Sequence, residues 1–261
     1  MAWVYLFGAL LGLCVGSFLN VVIYRLPNGM NLATPPSHCP GCGHHLKWYE
    51  NIPLFSYAFL KGKCRICKMH ISYRYPLVEA ANAILWVLCI FLFWETSIPL
   101  ACLFAAACSL LLCMIATDID EQLVPQSLQI VLLCTAIAVT VLDKTTPWYD
   151  HLIGMAVFGA AFWLIGYFFR KKSGKEALGG ADIELAFIAG LMLGWQKMLL
   201  AMLVSSVFGS VILLILRKKK NEEKDKTYPF IPFMGGGIYV ALFLGDLLIN
   251  GYKDLLMSFI R

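Results

Sequence analysis

Thr117-Asp118-Ile119-Asp120-Glu121 places three carboxylates in a short hinge between two strongly apolar runs. Residues 99–117 before it carry no charge, and residues 127–142 after it carry none. Runs of that kind are read as helices in a bilayer, and a carboxylate at a bilayer edge is costly enough to mark a functional site. One further acid has a similar setting. Asp182, in Leu178-Gly179-Gly180-Ala181-Asp182, stands just before another apolar run.

Composition agrees with this reading. The chain has 261 residues, 60% of them hydrophobic and 14% charged, with a mean hydropathy of +0.74. Average soluble domains are about a quarter charged, so a soluble globule is excluded and an all-α polytopic membrane protein is expected. Lipid is its solvent, and no nucleic-acid partner is expected.

Residues 2–24 form an uncharged run long enough to cross a hydrocarbon core of roughly 30 Å. No basic segment precedes it and no small-residue cleavage site ends it, so it is expected to be a retained span. Gly8, Gly12 and Gly16 repeat every four residues on one helix face, which allows close approach of a neighbouring helix. Later spans are expected at 76–94, 98–117, 123–142, 151–169, 183–195, 198–216 and 228–245, about eight in all. The one at 183–195 is short enough for a re-entrant segment to be the alternative.

Charge placement decides between the two. With eight crossings, residues 25–75, 118–122, 170–182 and 217–227 share one side. That side then holds every Lys and Arg except Lys144, Lys197, Lys253 and Arg261. Without the short crossing, Arg217-Lys218-Lys219-Lys220 would lie outside, against the positive-inside rule. The expectation is therefore eight crossings, both termini outside, and Asp118 and Asp182 both at the cytoplasmic face. Three parts follow: a first span (1–24), a cytoplasmic module (25–75) and a seven-helix membrane domain (76–261).

The module contains Cys39-Pro-Gly-Cys42 and Cys64-Arg-Ile-Cys67. Two such knuckles complete a tetrahedral four-thiolate zinc site, although their separation is slightly longer than in the usual zinc ribbon. Disulfides are the alternative, disfavoured in a reducing cytoplasm, and a thioredoxin-like redox pair is another. His38, His44, His45 and His70 are read as surface histidines. A closed site of this kind is structural, folding a segment with too small a core of its own. The remaining cysteines lie in apolar spans and are read as small packing residues.

Two carboxylates that share a proton can hydrolyse a peptide. One activates water while the other, kept protonated, donates to the carbonyl oxygen. Asp118 and Asp182 meet the topological requirement, the bland alternative being that each caps a helix end. Asp118 and Asp120 cannot both serve if their turn is helical, because residues two apart face nearly opposite ways. Gly179 and Gly180 would let backbone approach Asp182 closely. Glu121 and Glu184 stay open as further candidates. No Ser-His-Asp order, P-loop or HExxH pattern is present.

These residues resemble the prepilin peptidases, or type IV leader peptidases, over nearly the whole chain. The resemblance is carried by residues 16–27, by the two knuckles, by Trp48-Tyr49-Glu50-Asn51-Ile52-Pro53-Leu54, by Gly62-Lys63-Cys64-Arg65 and by Arg74-Tyr75-Pro76-Leu77-Val78-Glu79. It implies an aspartic protease of the GxGD type with Asp118 and Asp182 as the catalytic pair. Such an enzyme removes the basic leader of prepilins and pseudopilins after a glycine, just before their apolar helix. Many members then methylate the new N-terminal residue, usually Phe, with S-adenosylmethionine, whereas others only cleave. Service to a type IV pilus, a type II secretion system or competence is implied, at the inner cell membrane. The chain departs from the pattern at Ala181 (usually Gly), Glu184 (often Lys) and Gln126 (often Asp). Gly235-Gly236-Gly237 is read as a helix-packing feature, not a nucleotide loop. A reading from another class is a non-catalytic transporter or scaffold whose carboxylates bind ions.

Overall fold

A computed structural model describes residues 2–173, 179–219 and 228–260. The chain divides into two compact units, Met1–Pro125 and Gln126–Arg261. Both are helical, and among the described residues there is no β-strand, only two isolated bridges. Among the described residues, six helices are long and apolar enough to cross a membrane.

In the first unit, α1 (Ala2–Arg25), α3 (Arg74–Phe93) and α4 (Ile98–Glu121) are the long helices, and α2 (Phe55–Phe59) is a single turn inside the cysteine module. The glycine stripe of α1 packs on α3 as expected. A Cβ on Gly12 would lie 2.8 Å from the Ala83 Cα, and one on Gly16 would lie 2.8 Å from the Glu79 Cα. That backbone approach is closed by buried polar groups. Asn82 donates through Nδ2 to the Gly12 carbonyl (2.7 Å), Ser109 donates to the Asn82 Oδ1 (2.7 Å), and the Trp86 indole donates to the Ser109 hydroxyl (2.9 Å). In hydrocarbon each of these groups needs a partner, so the network selects one register for α1, α3 and α4. At the end of α1, the buried Arg25 guanidinium donates to the carbonyls of Asn31, Leu32 and Pro35 and pins the following loop. Pro99 in the first turn suits the start of α4, and Gln122 in the left-handed region (φ 50°) ends it.

In the second unit, α5 (Gln126–Leu142) is shorter than the others, about 25 Å at 1.5 Å per residue. It is followed by α6 (Trp148–Ser173), α7 (Gly180–Lys219) and α8 (Ile231–Ile260). Gly194 (φ 76°, ψ 167°) breaks α7 at the junction expected between the spans at 183–195 and 198–216. One turn before the break, the Leu191 carbonyl accepts from the Thr140 hydroxyl (3.1 Å) and the His151 Nδ1 (2.8 Å), so neighbouring elements satisfy it. Glycines again set the closest crossings. A Cβ on Gly154 would lie 2.5 Å from the Gly190 carbonyl oxygen, and one on Gly237 would collide with Ser205 and the Ala201 carbonyl. Gly237 is thus a packing residue between α7 and α8. The basic stretches at 170–182 and 217–227 lie partly outside the described residues. Trp163, Ile165, Phe168, Val207, Phe208 and Leu214 are exposed, an apolar surface that belongs in lipid rather than water.

Candidate active site and cysteine module

α4 runs through the acidic hinge, so the hinge is the helix's last turn and its acids separate by face. Asp118 is nearly buried, at 7% exposure, behind the fully buried Thr117, while Ile119 is exposed. Asp120 lies on the other side, ion-paired to Arg74 at the start of α3, and Glu121 is exposed. The conflict between Asp118 and Asp120 is resolved locally: one is enclosed, the other is neutralised by a guanidinium. Arg74 was not singled out from the sequence, although it is the last cation before the apolar run of α3.

Asp182 is the third residue of α7. Its Oδ2 accepts the Gly179 N–H (3.1 Å), and its own N–H donates to the Gly179 carbonyl (3.1 Å), a reciprocal cap on the helix start. A Cβ on Gly179 would meet Asp182 Oδ2 at an ordinary 3.4 Å, and Gly180 faces open space, so close approach does not require either glycine. Ala181 lies inside the helix and is not among the positive-φ residues, so the departure from Gly there brings no strain. The other two departures meet each other. Gln126 Nε2 donates to Glu184 Oε2 (2.9 Å), joining the start of α5 to the second turn of α7. A pair that would be oppositely charged in the resembling pattern is here a neutral amide on a carboxylate.

The cysteine module is a near-repeat offset by 25 residues (64 − 39). The bridges are His38–His45 and Lys63–His70. The Cys39 N–H donates to the His44 carbonyl as the Cys64 N–H does to Met69, and the Leu46 N–H donates to Ser37 as the Ile71 N–H does to Gly62. The left-handed residue of each knuckle is Gly43 (φ 70°) in one and Lys68 (φ 60°) in the other. The two halves bring the four sulfurs within 4.8 Å of one another, with Cys39–Cys67 at 3.7 Å and Cys42–Cys64 at 3.9 Å. A tetrahedral zinc site with Zn–S near 2.3 Å has sulfurs about 3.8 Å apart, so the donor set fits a metal ion. N–H groups of Cys67 and Ile66 bring the Cys64 thiol down to about 6, whereas Cys67, despite the Met69 N–H, is pushed up to about 11 by burial and the neighbouring sulfurs, so one thiol of the cluster ionises readily ahead of the other.

Buried carboxylates brace the module. Glu50, with a side chain 3% exposed, accepts from the Lys47 N–H (2.9 Å) and from the His44 Nε2 (3.0 Å), with Arg65 of the second knuckle 3.7 Å away. The Lys47 N–H, with His44 and Arg65, holds its carboxyl below the ordinary value against the opposing effect of burial. His44 is thus a partner of Glu50 and not a surface histidine, whereas His38, His45 and His70 are exposed. Glu79 reaches from α3 to accept the N–H of Leu54, a residue at φ 59°. Neither acid was assigned a role from the sequence. The available signal was an acidic residue in each stretch flanked by apolar and aromatic neighbours.

Helices of this length and apolarity, one of them carrying the nearly buried Asp118 in its last turn, together with a four-cysteine module on a long loop, define a polytopic membrane protein. Residues 10–93 match the bacterial peptidase A24 N-terminal domain, and residues 105–214 match the type IV leader peptidase family. A prepilin leader peptidase/N-methyltransferase of Stutzerimonas stutzeri is 36% identical over 93% of this chain and 91% of its own. One of the same name from Pseudomonas aeruginosa is 37% identical over 93% and 91%. Another, from Myxococcus xanthus, is 38% identical over 82% of this chain and 62% of its own. The chain belongs to the type IV leader peptidase family. No solved structure matches it.

Proposed function

We propose that this protein is a prepilin leader peptidase that also N-methylates the residue its cut exposes, with Asp118 and Asp182 as its catalytic pair. The observation that carries the peptidase reading is Asp118, a nearly buried carboxylate at the end of an uncharged span, in a chain whose family cleaves leaders. One carboxylate of the pair removes a proton from water as its oxygen attacks the scissile carbonyl carbon. The other gives its proton, and collapse of the tetrahedral species breaks the C–N bond as the leaving nitrogen takes up a proton.

Prepilins and pseudopilins of a type IV pilus, type II secretion or competence system are the substrates in this reading. Their basic leaders remain on the cytoplasmic side, and the distribution of Lys and Arg supports the same side for both aspartates and the module. Cys39, Cys42, Cys64 and Cys67 would hold a structural zinc ion. S-adenosylmethionine would supply an electrophilic methyl group to the freed α-amino nitrogen. The relatives' shared name supports methylation in addition to cleavage.

Cleavage of a prepilin in native membranes tests the pair. Asp118→Asn and Asp182→Asn are each expected to lose at least about 10²-fold in rate, and Asp120→Asn less than tenfold. Native-rate cutting by the first two variants overturns the aspartic mechanism and returns both residues to helix ends. In the mass spectrum of the product, N-methyl-Phe supports the bifunctional reading, and unmodified Phe leaves a peptidase alone.

A further inference from the structure

The short helix α2 carries an apolar face that the described residues leave uncovered. Phe55 and Phe59, one turn apart, are 56% and 84% exposed, and Ile52 just before them is exposed too. Ser56 is buried, and the half-buried Tyr57 is in ring contact with Tyr73. Facing water, two such phenyl rings would be costly for a segment that folds around so few apolar groups.

Contacts inside the first unit fix the depth of this face. The Leu54 N–H donates to Glu79 Oε2 (2.8 Å), and Glu79 lies about 7.5 Å along α3 from Arg74. The Glu79 Cα is also the atom that a Cβ on Gly16 would approach, and Gly16 lies about 13.5 Å before the end of α1 at Arg25. The Arg74–Asp120 ion pair sets the start of α3 level with the end of α4. The start of α2 is therefore drawn deeper into the bundle than the acidic hinge, and the Tyr57–Tyr73 contact brings its later residues back to the start of α3.

The backbone is prepared for that depth. The N–H groups of Ile52, Leu54, Ser56 and Ala58 are taken up by the Ser56 hydroxyl, the Glu79 carboxylate and the carbonyls of Ile52 and Leu54. A segment in lipid needs every such donor satisfied by protein, whereas a loop in water does not. Charge completes the picture. Lys61 and Lys63, both exposed, follow α2 directly, and residues 26–72 carry Lys47, Lys61, Lys63, Arg65 and Lys68 against the single acid Glu50. That balance repels a basic leader and attracts anionic headgroups.

We infer that α2 is a membrane anchor, sinking Phe55 and Phe59 among the acyl chains while Lys61 and Lys63 rest on the phosphates of anionic phospholipid. The cysteine module is thereby held against the bilayer at the level of Asp118 instead of standing free of it.

The full-length protein in nanodiscs of phosphatidylcholine and phosphatidylglycerol tests this, with a phosphatidylglycerol that carries a diazirine in its acyl chain as the probe. After illumination, labelled residues are mapped by mass spectrometry. Phe55 and Phe59 are expected to be labelled as strongly as Leu77 and Phe91, exposed residues of α3. Phe59→Asp is expected to keep the native melting temperature in detergent and to lower labelling at Phe55 about tenfold. Lys61→Gln combined with Lys63→Gln is expected to lower labelling by the phosphatidylglycerol probe about fivefold and to leave labelling by the matching phosphatidylcholine probe unchanged. Label on α3 with none on α2 overturns the anchor. So does a marked fall in the melting temperature of Phe59→Asp, which would mean that protein covers the face. Loss of the α2 label on adding saturating prepilin overturns it as well, and assigns the face to the substrate's apolar helix. These readouts need no bond to be cut, so they stand or fall apart from the peptidase reading.

Discussion

The two units present their carboxylates by different means. In the first, Asp118 ends a helix held by buried side-chain hydrogen bonds through Asn82, Ser109 and Trp86, with an ion pair at Arg74–Asp120 and a metal-binding type of module braced by Glu79. In the second, the close crossings are backbone on backbone, Gly154 on Gly190 and Gly237 on Ala201, and Asp182 is held by the chain just before it. A carboxylate set by tertiary packing is enclosed and fixed. One capped by the residue three before it sits at the start of its helix, half-buried. Polar networks specify a register and glycine crossings specify a distance, and both units use both, with Gly12 and Gly16 on α3 in the first and Thr140 and His151 on the Leu191 carbonyl in the second.

The largest effect expected from breaking this contrast is on the module. Cys39→Ser should abolish retained zinc, measured by metal analysis of the purified protein, and expose residues 26–72 to protease, because metal binding and folding are coupled there. Unchanged bound metal would refute the four-cysteine site. Next comes Gly190→Leu, which forces α6 and α7 apart. A loss of about 3 kcal/mol or more, read as a lower melting temperature in detergent, is expected, whereas zinc content should be unaffected. A matching loss of zinc would show that the two units do not fold by separate means.

Glu50→Gln should weaken the module by about 1.5 kcal/mol at neutral pH by removing a charged acceptor. Glu50's carboxyl is held below 4.5 in the folded chain, so the stability it adds is complete above that value and is lost as pH falls through the folded value. The native protein and the variant should therefore differ in module stability at pH 7 and converge as pH falls below the ordinary carboxylate range in an unfolding series. A constant gap across pH would assign the effect to packing. The smallest expected change is a gain: Lys68→Gly, which copies Gly43 into the second knuckle, should stabilise the module by about 0.5–1 kcal/mol because Lys68 sits at φ 60°.

Much of this was legible from residues 99–142 alone. Uncharged runs on both sides of Asp118 imply helices in lipid, because unpaired backbone polar groups have no partner there. The two Cys-x-x-Cys pairs carry the module, since a knuckle is local. The glycine repeat of α1 correctly announced a close helix neighbour. Less legible was which acid does what. Asp118, Asp120 and Glu121 differ by one or two positions in the chain, yet the first is enclosed, the second is paired to Arg74 and the third is exposed. His44, which bonds Glu50, is 6 residues away and Leu54, whose N–H Glu79 accepts, is 25 away, beyond the reach of periodicity.

By itself, then, the sequence determined what is local or additive: the apolar spans, the acidic ends, the paired knuckles and the side favoured by Lys and Arg. Only the tertiary structure decided what depends on which helices meet. It showed that Gln126 and Glu184 compensate one another, that His44 serves Glu50, and that the Gln129 Oε1 is buried without a hydrogen-bond partner among the described residues. The reason is physical. Hydropathy and turn chemistry act over a few residues, whereas the burial and pairing of a polar group depend on every element packed around it.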